Sequence, residues 1–282
     1  MIKFQAHHMN VTAADLAGNG KIGRYIFLTG SDHRAQVIST HFSNVKTKSH
    51  PRQHNFYSGT LSTKHGDIDV ASISSGMGGP SADIIITELI LLGAKRILRI
   101  GTAGSLQVQQ VRIGDIVIAN AAIRDDKATW DYIYPEFPAV ASLEYVISAL
   151  RAADELHKNP QVHCGIVESK STLYGREMGY SFLPENKNYN ISIGKAGVLA
   201  TEMECAQLFI LAQIHNGRQK ALASPRAQAI QVGAILSIIS DNHPFTAKDS
   251  VVAAAVESSV ELGLETVRQV SYLDKLKRTL IG

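Results

Sequence analysis

The sequence predicts an α/β fold, a single domain over residues 1–282 with a central mixed β-sheet flanked by helices. Three observations predict it. Short β-rich apolar runs alternate with longer helix-like segments along the chain, the pattern of a parallel or mixed sheet with crossover helices. The 282 residues are 45% hydrophobic and 19% charged, which is enough apolar side chain for a sizeable core. Composition shifts only over 181–197 (SFLPENKNYNISIGKAG) and 215–228 (HNGRQKALASPRAQ), polar, turn-rich excursions that lack the look of an interdomain linker.

Taken in order, RYIFLTG opens the alternation as a strand and IDVASISSG follows as a second. PSADIIITELILLG reads as a buried crossover helix, with Pro80 in its favoured first-turn position and Gly93 at its stop. KRILRIG and GDIVIANAAI are strands, and RIGTAGS reads as a strand end followed by a glycine-rich turn. A helix is expected near 140–156, a late strand at AILSIIS and a final helix over 248–279.

Composition also excludes several function classes. The formal charge of +3 is spread along the chain, without the basic block of a nucleic-acid binder, so small anions are the expected partners. Cys164 and Cys205 stand far apart with no metal-ligand spacing, which predicts neither a disulfide framework nor a zinc site and fits a reducing, cytoplasmic setting. The N-terminal stretch has no apolar signal core, and the hydrophobic runs are broken by charge too soon to span a membrane.

The glycine turns carry the chemistry. Neither SSGMGGPS nor RIGTAGS has dinucleotide-binding spacing, and no P-loop is present. What remains is a set of strand ends followed by glycine and a polar group: Gly30 with Arg34, Gly76 to Gly79, and Arg99 with Gly101 and Thr102. Ligands of open α/β sheets bind outside the carboxyl ends of the strands, where backbone N–H groups and helix N-termini favour anions. Two arginines at such ends suggest phosphate. Arg99 could equally be an arginine paired with a carboxylate. Thr201-x-x-Glu204 ahead of an apolar run is a capping box on its own terms, and Asp241 in SDNHP could form an Asx turn.

GMGGPSADIIITELILLGAKRILRIGTAGSLQ, GDIVIANAAIRDD, YPEFPAVAS and ATEMECAQL together resemble the hexameric-type nucleoside phosphorylase family, in the same order and over nearly the whole chain. The resemblance implies phosphorolysis, in which phosphate displaces a nucleobase from C1′ of a ribonucleoside to give ribose 1-phosphate. It implies inorganic phosphate as co-substrate, no metal and no organic cofactor. Gly30 and Arg34 match the family's phosphate loop, with Ser31 and Asp32 replacing its Asp-Pro pair; Arg99 and Thr102 match its second phosphate-binding strand end. Arg52 matches an arginine lent across a subunit interface, and His8 a histidine lent to the ribose 5′-hydroxyl. Together they imply a homo-oligomer with a dimer as the smallest active unit, in a hexamer built as a trimer of dimers.

The family places Met77, Glu202, Met203 and Glu204 at the ribose, with Glu204 accepting the 2′- and 3′-hydroxyls and stabilising the oxocarbenium-like charge. Leu173 and Tyr174 match its base-stacking segment. The Gln-x-Arg uracil reader of pyrimidine-specific members is missing; Arg176 and Met178 stand there instead. Asp241 matches the aspartate that serves N7 in purine-specific members, although the downstream arginine that often supports it is absent and Lys248 is the only close substitute. A purine nucleoside phosphorylase is therefore favoured. Uridine phosphorolysis, a hydrolytic nucleosidase and a non-catalytic nucleoside-binding relative stay open.

Overall fold

The computed structural model describes residues 4–156, 160–221, 229–241 and 247–281. The first strand, β1 (Tyr25–Thr29), is buried throughout, and a strand covered on both faces reads as an unbroken apolar run. Ser31 caps α1 (Asp32–Ser39), its hydroxyl accepting the N–H of Arg34 at 3.4 Å. An edge follows: β2 (Ser43–Lys48), β3 (Phe56–Leu61) and β4 (Ile68–Ser74). Gly78, at φ 84°, turns the chain into α2 (Gly79–Leu91), a left-handed backbone region that favours glycine. Next come β5 (Arg96–Ser105), β6 (Ile116–Asp125), β7 (Ala139–Val140), α3 (Leu143–Leu156), β8 (Val162–Lys170), α4 (Leu173–Glu177), α5 (Glu185–Lys195), β9 (Ala200–Glu202), α6 (Cys205–Ala221), β10 (Gln231–Ser240) and α7 (Asp249–Ile281).

The ten strands form one mixed sheet in the order β10-β6-β8-β9-β5-β1-β4-β3-β2, with β7 on β6. A further pairing of β10 with β5 closes β5, β10, β6, β8 and β9 into a ring. One apolar core, with Ile85, Leu89, Phe209 and Leu211, lies under α2 and α6. The other, with Phe27, Tyr145, Val260 and Val267, lies under α3 and α7. The long terminal α7 is locked to the sheet by charge as well as packing: the Arg96 guanidinium donates to both carboxylate oxygens of Asp274 at 2.8 Å, and Tyr25 donates to the same carboxylate. Such a two-pronged pair has fixed geometry.

The mixed sheet flanked by helices is therefore the one that the alternation predicts, but two expectations change. RIGTAGS is strand, not turn, and Arg99 sits in mid-strand. The reason is pairing on both sides: β10 runs alongside from Arg96 to Gly104, and β9 takes over at Gly104 and Ser105. The polar stretch 181–197 is no loop excursion but carries α5. Of the second polar stretch, residues 215–221 end α6, while 222–228 lie outside the described residues. Among the described residues no helix is long and apolar enough to cross a membrane.

Candidate active site

Strands β1, β5 and β10 are parallel neighbours, so their carboxyl ends open on the same side of the sheet. A cavity of about 240 Å3 lies there. Gly30 and Arg34 reach it from the turn into α1, Thr102 from β5, and Met77 from the loop before α2. Lys170, Leu173, Glu177 and Met178 come from the end of β8 and from α4, and Ser240 from the end of β10. Thr201 to Glu204 complete the wall.

Arg99 is the electrostatic centre of this wall. Buried at 3% exposure, it bonds Glu204 through Nη2 and lies 3.3 Å from Glu202 through Nε. Burial works against its charge, but the two carboxylates outweigh burial and hold its pKa above the ordinary value. Its Nη1 is a buried donor without a hydrogen-bond partner among the described residues. Gly101 makes the arrangement possible, since a Cβ there would stand 2.8 Å from Nη2 of Arg99 and from Leu236. Among the described residues, the Arg34 guanidinium makes a single hydrogen bond, of 3.4 Å, to the carbonyl of Ile100. Burial and then the neighbouring Arg99 charge push its pKa down to about 10, so it stays charged at neutral pH. Two guanidiniums thus repel each other across one cavity, and an anion between them relieves both.

Capping and lining the cavity fall to different glutamates. The cap of α6 is Glu202, whose carboxylate accepts the N–H of Glu204 at 2.8 Å and of Cys205 at 2.9 Å, together with the Ser169 hydroxyl. Thr201 does not take part; its hydroxyl accepts from Lys170 at 2.8 Å. Glu204 is left to face the cavity, accepting the N–H of Gly78 on one oxygen and pairing with Arg99 on the other. Its pKa is raised, chiefly by burial and further by the charge of Glu202, with Arg99 opposing. Each carboxylate oxygen retains a lone pair for a further donor.

The α4 end of the cavity departs most from the sequence reading. Leu173 lines the cavity, but Tyr174 is 59% exposed and stacks edge-on with Tyr180. Arg176 does not line the cavity: its guanidinium bonds Asp125 and Asn186 and lies over the ring of Tyr189. Lys170 and Glu177 stand in the wall instead, 2.5 Å apart, and sequence reasoning had passed over both. Their only signal was position, one at a strand's carboxyl end and the other beside Arg176 in STLYGREMG. Asp241 follows directly on Ser240 and is half-buried, while Lys248 is exposed; residues 242–246 between them lie outside the described residues.

His8 and Arg52 do not line the cavity of their own chain. Arg52 is exposed, and the His8 ring lies 2.8 Å from Glu88 on α2.

Comparison with known proteins identifies the family. Residues 24–275 match the phosphorylase superfamily model. The chain is 32% identical over 220 residues to a uridine phosphorylase of Treponema pallidum, covering 77% of this chain and 80% of that protein. It is 32% identical over 203 residues to the uridine phosphorylase of Thermococcus kodakarensis, covering 71% of each. A DeoD-type purine nucleoside phosphorylase of Streptococcus pneumoniae is 34% identical over 202 residues, 70% of this chain and 78% of that one. The chain belongs to the phosphorylase superfamily and, within it, to the nucleoside phosphorylase family of pentosyltransferase enzymes.

Proposed function

We propose that the protein cleaves the N-glycosidic bond of ribonucleosides with inorganic phosphate, giving ribose 1-phosphate and free base, with purine nucleosides favoured. The observation that carries this reading is the convergence of Arg34 and Arg99 on one cavity, with a buried donor of Arg99 left without a partner. In this reading Gly30, Arg34, Arg99 and Thr102 hold the phosphate dianion. Planar guanidinium forks orient a phosphate oxygen toward C1′, and that positioning lowers the barrier. Met203 and Met77 pack the ribose, and Glu204 accepts its hydroxyls while its carboxylate stabilises positive charge growing at C1′ as the bond to the base breaks. The cations carry the phosphate charge, so the proposed reaction calls for no metal or organic cofactor.

The bond's electron pair leaves with the base, which takes up a proton. Asp241, at the end of β10, is the proposed donor to N7 of a purine. The similarity to uridine phosphorylases favours a second reading, uridine as substrate. His8 and Arg52, outside the cavity of their own chain, are proposed to serve the site of a second copy.

One panel tests the reaction and the base: inosine, guanosine, adenosine, uridine and thymidine, each with and without phosphate. Phosphate-dependent release of base with ribose 1-phosphate is expected. Equal turnover in phosphate-free buffer, yielding ribose, would identify a nucleosidase. Asp241→Asn should slow inosine cleavage by about 10²–10⁴ while leaving the KM for phosphate nearly intact; uridine as much the best wild-type substrate would overturn the purine assignment.

A further inference from the structure

Lys170 is 3% exposed, at the end of β8, and a buried ammonium is costly unless it is paired. Its Nζ bonds Thr201 Oγ1 at 2.8 Å and stands 2.5 Å from Oε1 of Glu177. That carboxylate oxygen is buried yet makes no bond of hydrogen-bond geometry among the described residues, so the pair is held by charge while accepting capacity is left over. The other oxygen of Glu177 lies beside Gly104, 3.9 Å from where a Cβ would stand, and the Ser240 hydroxyl is 2.9 Å from that same point. Gly104 is three residues beyond Gly101, where the Arg99 guanidinium lies. At the rise of a strand this separates the two ends of the cavity by about 10 Å. A phosphate at the arginine end and a ribose on Met203 and Glu204 therefore leave the base at the lysine and glutamate.

We infer that Lys170 and Glu177 are the specificity-determining pair of this site and select a base that presents a carbonyl beside a ring N–H, the lactam edge shared by 6-oxopurines and uracil. The inference rests on the nucleoside reading above and holds for either ring system. Lys170 carries only donors and takes the carbonyl; Glu177 carries only acceptors and takes the N–H. An edge with an amino group beside a bare ring nitrogen has the opposite order of donor and acceptor. Two properties of the chemistry favour the lactam. Its ring N–H is more acidic than an exocyclic amino group and so is the stronger donor to a carboxylate. When the glycosidic bond breaks, negative charge on the leaving base spreads onto the exocyclic oxygen, where an ammonium stabilises it.

The test compares kcat/KM at saturating phosphate for inosine against adenosine and for uridine against cytidine. The lactam member is expected to lead by 100-fold or more in whichever pair is turned over, because a site built to bond one edge leaves buried polar groups unpaired with the other. The inosine and uridine arms separate the two sources of the edge. Glu177→Gln, whose amide can face either edge, should shrink the ratio at least tenfold, whereas a merely structural role would lower both members of a pair alike. Adenosine within threefold of inosine, or cytidine within threefold of uridine, overturns the inference while phosphorolysis stands. If no nucleoside is cleaved with phosphate, the functional reading has failed, and calorimetry with free hypoxanthine and uracil against adenine and cytosine decides the edge on its own. Tighter binding of the lactam bases supports the inference, and equal or weaker binding overturns it.

Discussion

Arg34 and Arg99 bring the same charge to one cavity but are held in different ways. The Arg34 guanidinium has one 3.4 Å bond to a carbonyl among the described residues, so its removal costs the fold little. Arg34→Ala should raise the KM for phosphate by about 10–100-fold, the value of one or two hydrogen bonds between charged groups, with the thermal midpoint almost unchanged. Arg99 is the counter-ion of two buried carboxylates, Glu202 and Glu204. Arg99→Ala strands them and should cost about 3–5 kcal/mol of stability as well as phosphate affinity. Thermal melts and phosphate titrations of both variants check this; an Arg99→Ala protein as stable as the wild type would refute the account of that side chain.

Among the elements, α2 has two tasks. Its N-cap, Gly78, donates its N–H to Glu204, and its last turn tethers the N-terminal segment through Glu88. Burial opposes the Glu88 charge, but the His8 ring and the N–H groups of His7 and His8 outweigh it and hold the carboxyl below the ordinary glutamate range. A carboxylate depressed in the folded state stabilises at pH above its unfolded pKa, near 4.3 for glutamate, and that contribution is lost as pH falls through the folded value. The tether should therefore be intact at neutral pH and released in acid. Glu88→Gln should release it at pH 7, which protease cleavage within residues 4–10 would report. Equal protection of that segment in the variant and the wild type would show that the tether lies elsewhere.

At the scale of the whole molecule, the cavity formed by one chain is lined by Arg34, Arg99, Thr102 and Glu204 but not by His8 or Arg52. If these serve a neighbouring copy, neither an inactive His8→Ala protein nor an inactive Glu204→Ala protein is defective in all of its sites once the two are mixed. Mixing them under conditions of subunit exchange should restore measurable activity, because some mixed sites regain both groups. No recovery, with exchange verified by labelled subunits, would place His8 in a role within its own chain.

The layered architecture and the family follow from the order of motifs and apolar runs along the chain. Apolar periodicity sets β1, β4, α2, α3 and α7, because a segment's own side chains decide which face it can bury. Gly30, Arg34, Arg99 and Glu204 were legible as a group through the family resemblance, whereas spacing alone left Arg99 open as a carboxylate-paired arginine and Glu204 as a capping-box residue. The rest depends on contacts between distant parts of the chain. RIGTAGS is strand because β9 and β10 flank it, partners that lie about 100 residues or more away in sequence. Glu202 rather than Thr201 caps α6, and Arg176 leaves the cavity to Lys170 and Glu177, because Asp125 and Tyr189 hold its guanidinium. Neighbouring charges in a motif compete for partners from remote strands, and a linear sequence carries no distance between such partners.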